Sequence, residues 1–182
     1  MPLSEKKKQV LFNYYSKNGF QNSTEQIVKE LNICHKTFFN RYGTKANSIE
    51  ISWKHWQNIC REKWQSILDN CNHSVEELTM TIYQIVRTRY EEPHYYAFTK
   101  EKRKYLERDS IFYSLIYSVL EKGKHCFHIH EDLDLETYTP YLLNNLFLID
   151  SDKDQKPQIM RYLLHPALTE RGMDLFMETP FA

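Results

Sequence analysis

Residues Ser23 to Lys45 read STEQIVKELNICHKTFFNRYGTK, and this stretch holds the ends of two short helices and the turn between them. Ser23 or Thr24 can cap the first helix, and Gln26, three residues beyond Ser23, completes a capping box. Ile27, Val28 and Leu31 form its apolar face. Asn32 tolerates the left-handed backbone that a tight turn requires, so the first helix ends there. Ile33 anchors the turn, and Cys34 to Tyr42 supplies the second helix, with Phe38, Phe39 and Tyr42 apolar and His35, Lys36, Thr37, Asn40 and Arg41 polar. Two short helices across a tight turn, the second carrying polar and basic groups, predict a helix-turn-helix.

Upstream, Val10, Leu11, Tyr14 and Tyr15 make a helical stripe between Lys7 and Asn18, and Gly19 follows as a stop signal. Glycine is otherwise scarce. Four in 182 residues is far below the usual ~7%, which argues against phosphate-cradling glycine loops and hairpin-rich β folds, because both need positive φ. The expectation is an all-α chain, divided into a DNA-binding head over residues 1–47 and a second helical domain over 48–182.

The net charge of zero divides unevenly. Residues 1–56 carry nine basic and four acidic side chains, a balance of +5, and the rest carries −5. A basic end on an acidic body is the asymmetry expected when one end meets a polyanion. The N-terminus lacks a secretory core and no segment is apolar enough to span a membrane, so a cytoplasmic location without membrane association is expected. Cys34, Cys60, Cys71 and Cys126 are scattered without a CxxC pair, as for reduced thiols.

Gly19-Phe20, Ser23, Ile27-Val28, Ile33-Cys34, Lys36-Thr37-Phe38-Phe39, Tyr42 and Thr44-Lys45 resemble the DNA-binding segment of the TetR (tetracycline repressor) family of transcription regulators. The spacing from Ile27 to Lys45 matches that pattern without a gap. Val28, Asn32, Cys34, Lys36 and Phe39 depart from it, replacing alanine, glycine, serine, glycine and tyrosine, and the loop after Gly19 is one residue shorter. Phe39 lacks the hydroxyl that the family's tyrosine commonly offers to a phosphate. The resemblance covers about a quarter of the chain. It implies a homodimer whose last two long helices form the interface, a phosphate grip at Lys45, and a small-molecule effector that controls double-stranded DNA binding.

Position within the segment marks His35, Lys36, Thr37, Asn40, Arg41, Tyr42 and Lys45 as the DNA-binding residues, with Lys6, Lys7 and Lys8 near the flanking backbone. In the body, a long helix is expected from Thr44 or Asn47 to about Asn70, with Ile49, Trp53, Trp56, Cys60, Trp64, Ile67 and Cys71 along one stripe. A capping box of Ser74 and Glu77 opens the next helix, which closes at Glu91-Glu92-Pro93. Another starts at His94 and passes through a charged, solvated run, Lys100 to Arg108. Asp109 is expected to cap an apolar helix that ends before Gly123, and two late helices are expected over about 138–150 and 158–177, with Pro166 kinking or restarting the second. Trp56, Trp64, Tyr83, Tyr95, Tyr96, Phe112 and Tyr113 are the candidate effector-binding residues, because ligand pockets are mostly apolar.

His125, Cys126, His128, His130 and Glu131 are metal-ligand types in one segment, but their spacing lacks the paired pattern of a structural zinc site, and a solvated loop is expected. No metal or cofactor is expected. The chain shows no HExxH, no nucleophile motif and no phosphate loop, so the reading is a ligand-responsive regulator, most simply a repressor on a palindromic operator, rather than an enzyme. A helical protein-interaction adaptor is the alternative.

Overall fold

The computed structural model describes residues 3–148 and 156–179, with the side chains of 156–159 left undescribed. Among the described residues ten α-helices follow one another: α1 Glu5–Asn18, α2 Thr24–Glu30, α3 His35–Tyr42, α4 Lys45–Leu68, α5 Ser74–Glu91, α6 Pro93–Glu101, α7 Ile111–His125, α8 Leu135–Leu148, α9 Lys156–Leu164 and α10 Glu170–Glu178. A 3₁₀ turn, Lys104–Leu106, precedes α7. The described residues contain no β-strand beyond a single bridge between Ile129 and Leu168, so the chain is all-α.

Local signals set the head, α1 to α3. Gly19 ends α1 at φ 68°. Both halves of the capping box form, Gln26 N–H donating to Ser23 Oγ (3.3 Å) and Ser23 N–H to Gln26 Oε1 (2.7 Å). Asn32 sits at φ 52° between α2 and α3, as a residue that tolerates the left-handed region should. Gly43 turns the chain again at φ 72° and Thr44 caps α4 by accepting from Asn47 N–H. The 47/48 boundary falls inside α4, and one continuous hydrophobic core runs through head and body.

That core is rich in aromatic rings, in keeping with the 14% of the chain that is Phe, Trp or Tyr. Tyr15 stacks on Phe20 (5.0 Å between centroids), and Phe20 meets Tyr95 and Phe98. Tyr95 stacks on Trp56 (5.1 Å), Trp56 leans on Phe112, and Phe112 meets Phe147 edge-on. Phe147 stacks in turn on Tyr96 and Tyr105. Each such pair adds about 0.5–1.5 kcal/mol beyond the area it buries, so a ladder of rings joins α1 to α8.

Several expectations need correction, some of them for a long-range reason. α5 is capped by His73, whose Nδ1 accepts from Glu76 N–H, and not by Ser74, because Ser74 is buried with its Oγ 2.8 Å from His128 Nδ1. The run Lys100 to Arg108 is not simply solvated. α6 stops at Glu101, Arg103 turns at φ 51°, Lys104 swings over the Trp53 ring and Tyr105 enters the core. Ser110, not Asp109, caps α7. Gly123 lies inside α7 rather than ending it, at a point where a Cβ would stand 2.5 Å from Ile129 Cγ1. The segment after α7 is an exposed loop, as His125, Cys126, His130 and Glu131 show, except that His128 and Ile129 turn inward and anchor it.

Thr169 fastens that segment through its N–H to His128 O and its hydroxyl to Phe127 O, and then caps α10 by accepting from Gly172 N–H. The late pair starts earlier than expected, at Leu135, with Pro140 accommodated within α8. The last segment is two helices, α9 and α10, separated around Pro166. Ile149 and Asp150, expected at the end of α8, lie outside the described residues, as does the side chain of Ile159. Among the described residues no helix is long and apolar enough to cross a membrane, and no three His, Cys, Asp or Glu side chains gather into a cation-binding group.

Candidate nucleic-acid interface

α3 is only eight residues long, and its register decides what it offers. Phe38 and Tyr42, four apart, are 0% and 2% exposed and pack on each other at 5.4 Å between centroids. Turning these two inward puts His35, Lys36, Asn40 and Arg41 on the exposed surface, with Thr37 half-buried and its Oγ1 3.1 Å from Cys34 Sγ. Tyr42 therefore belongs to the core of the head, and burial raises its phenol pKa. Phe39, grouped with the apolar residues by the sequence reading, is 51% exposed beside the basic groups. Lys45 opens α4, half-buried, with Nζ 3.4 Å from Gln21 O.

Lys6, Lys7, Lys29, Lys36, Arg41 and Lys45 form no ion pair with an acidic residue among those described. The head's paired cations are Lys8, 2.6 Å from Glu5, and Lys17, 3.6 Å from Glu30. Lys6, Lys7 and Arg41 rim a hollow of about 330 Å³ floored by Val10, Leu31, Ile33 and Tyr42. The start of α1 and the end of α3 thus present one basic edge. Sequence periodicity had placed Val10 on a buried stripe, yet it is 39% exposed here. A recognition helix with exposed polar ends and uncompensated cations can seat in a major groove while lysines meet phosphates.

The head is tied to the body through α1, which packs on both α4 and α6. Tyr15 Oη and Ser48 Oγ lie 2.7 Å apart, and burial pushes the Tyr15 phenol up to about 12. Tyr95 Oη shares a hydrogen bond with Ser52 Oγ, and Ser16 Oγ donates to Glu92 Oε2 at 2.9 Å. His55, 8% exposed, contacts Gln9 Oε1 (3.1 Å) and stands 3.4 Å from Glu5 Oε2, and burial lowers its pKa. Gly19 lies against the His94 ring, where a Cβ would come within 3.1 Å of Nδ1.

The candidate effector residues fall into three groups. Tyr95, Tyr96 and Phe112 are buried in the aromatic ladder, ring against ring. Tyr113 is buried and donates its hydroxyl to Glu136 Oε2 (3.3 Å), while Tyr83 is half-buried on α5. Trp56 and Trp64, 1% and 2% exposed, lie with Cys60 and Lys63 of α4 along a cleft of about 90 Å³ that Phe12 of α1, Thr88 and Glu91 of α5, and Glu92 complete. The two glutamates escaped the sequence reading because they closed a helix in front of Pro93. Their place beside the tryptophans comes from the packing of α5 on α4.

No protein-family model matches the chain, and no curated protein matches it in sequence. Among solved structures, the ketosteroid transcriptional regulator KstR2 of Mycobacterium tuberculosis is similar, with a TM-score of 0.60 at 12% identity over 92% of this chain and 97% of that one. A gamma-butyrolactone receptor, an ArpA-like protein, aligns with a TM-score of 0.44 at 10% identity, over 95% of this chain and 94% of its own. At 12% identity the likeness to the first of these is one of fold alone, and it agrees with the resemblance carried by Gly19 to Lys45: the chain has a TetR-like all-α fold.

Proposed function

We propose that this protein is a ligand-responsive DNA-binding regulator, acting in the cytoplasm as a homodimeric repressor released from a palindromic operator by a small molecule. The observation that carries the reading is the exposed face of α3, with Lys36 and Arg41 on it and Lys6, Lys7 and Lys45 beside it all without an acidic partner among the described residues. His35, Lys36, Thr37 and Asn40 reach base edges from the first turns of α3, and Lys45 holds a phosphate from the start of α4. Tyr42 supports the helix from beneath.

A single short recognition helix offers too few base contacts for high specificity, so two copies reading half-sites ~34 Å apart are required. Exposed Tyr141 and Leu148 on α8 and Tyr162 on α9 support a dimer through these helices. Tyr141, Arg161, Tyr162, His165 and Pro166 also line a groove of about 530 Å³ there. An effector entering the body shifts the two heads relative to one another. Moving operator occupancy from 99:1 to 1:99 requires it to prefer the released state by ~5.5 kcal/mol.

Selection of bound duplexes from a random pool tests the reading. The expected outcome is a palindrome, with a log K against log[salt] slope of roughly −5 for about three phosphates neutralised per subunit. Failure to retain any duplex at low salt overturns it in favour of a helical protein-interaction adaptor.

A further inference from the structure

The hollow between the start of α1 and the end of α3 pairs an apolar floor with a basic rim. Asn32, at φ 52°, is exposed, while Leu31 and Ile33 on either side of it pack against the core and, with Val10 of α1, line the hollow. Val10 is 39% exposed, so this floor is open to solvent. Lys6, Lys7 and Arg41 stand around it without an acidic partner, and no Asp or Glu among the described residues lines it. Glu5, the carboxylate nearest to them in sequence, is turned to Lys8 and His55. Arg41 acts on the Tyr42 phenol, lowering its pKa against the effect of burial, and a neutral phenol leaves the guanidinium charge uncompensated.

DNA accounts for the rim but not for the floor. Phosphates are met by lysine, arginine, hydroxyl and N–H groups, and a duplex backbone gains nothing from open valine, leucine and isoleucine side chains. Such a floor is stabilised by hydrocarbon that covers it, and three cations beside it suit an anion. The hollow of about 430 Å³ beside the end of α7 is the opposite case, since Glu121, Asp134 and Glu136 line it and would repel one. Small-molecule sites are mostly apolar, with a few polar groups and volumes of ~300–1,000 Å³. The head's hollow, at about 330 Å³, falls within that range.

We propose that this hollow binds a medium-chain carboxylate, with the chain laid on Val10, Leu31 and Ile33 and the carboxylate held by Lys6, Lys7 and Arg41. A cavity of ~150 Å³ holds one benzene, so the hollow takes about a dozen non-hydrogen atoms. The same three cations belong to the edge that the regulator reading gives to DNA, and the consequence of the site rests on that reading. A bound carboxylate neutralises them and weakens the head's hold on a duplex.

Octanoate is a suitable probe, octanamide its uncharged isostere, and acetate the charge without the chain. Each is titrated into the free protein by calorimetry at constant ionic strength, with the methyl resonances of Val10, Leu31 and Ile33 locating the ligand. Saturable binding of octanoate that moves those methyls, and none of octanamide or acetate, is expected. Arg41→Gln should weaken octanoate about tenfold and Val10→Asn several-fold, both with the thermal midpoint close to the wild type's. Methyl shifts confined to the body, an equal response to octanamide or acetate, or unaltered binding in both variants overturns the site, whatever the protein does with DNA. The consequence is read separately on retained duplex. Release by octanoate but not by acetate, with Val10→Asn requiring several-fold more octanoate, supports it. Full retention by octanoate-saturated protein overturns it. A protein that binds octanoate but no duplex at all sinks the regulator reading and leaves the carboxylate site standing.

Discussion

In the head, Lys6, Lys7, Lys29, Lys36, Arg41 and Lys45 stand without an acidic partner among the described residues, whereas in the body Lys63, Arg87, Lys104, Arg108 and Lys122 each rest on a carboxylate. Exposed pairs of the second kind contribute only ~0–1 kcal/mol to stability, so pairing is not what makes the body firm. Its aromatic ladder does that. The difference shows where the charge of these groups is directed: these five cations of the body are satisfied within the chain, while these six of the head are left for a partner. Pairing them internally would impose a cost on any polyanion, which would first have to displace the carboxylates.

Mutations can break or sharpen this contrast. The largest effect is expected in the body: Trp56→Ala, at a site 1% exposed between Tyr95 and Phe112, should lower unfolding free energy by ~3–5 kcal/mol, measured as a denaturant midpoint shift. Lys36→Ala in the head should leave stability within about ±0.5 kcal/mol and weaken duplex binding by ~1–3 kcal/mol if its side chain reads a base. Lys45→Ala should reduce the magnitude of the salt slope by about 1 per subunit with little effect on sequence preference. A Lys36→Ala protein that loses stability but not affinity would reverse the assignment of roles.

The turn between α2 and α3 gives an effect of intermediate size. Asn32→Val should cost ~1–2 kcal/mol because a β-branched residue is poorly suited to φ 52°, while Asn32→Gly should be close to neutral by thermal melting. The smallest effect belongs to the joint. His55 has a folded pKa below its ordinary value of 6.5 because it is buried, so its contribution to stability is present above that value and is lost as pH falls through the lowered one. The facing Glu5 carboxylate opposes the shift and Lys8 reinforces it. Melting followed from about pH 7 to about pH 5 should fall less steeply in His55→Gln than in the wild type, and identical slopes would remove His55 from the account.

The head was legible in the sequence because its signals are local. A capping box spans four residues, a left-handed turn is set by one asparagine, and a glycine stop needs only its own φ. The polar face of α3 followed from helical spacing, although that spacing grouped Phe38, Phe39 and Tyr42 together and could not show that Phe39 is exposed and Tyr42 buried. The body was harder to read. Ser74 looked like a cap until His128, more than fifty residues later, claimed its hydroxyl. Gly123 looked like a stop until Ile129 filled the space a side chain would have needed. Lys104 looked solvated because nothing in its own segment announces Trp53.

By itself, then, the sequence determined the all-α class, the helix-turn-helix and the separation of basic from acidic ends. Composition, backbone conformation and capping are properties of a residue and its near neighbours. Only the tertiary structure decided which cations remain unpaired, which aromatic rings stack on one another and which line a cleft, and that Glu92 faces tryptophans from a different helix. Ion pairing, packing and desolvation depend on groups that the fold brings together from distant parts of the chain.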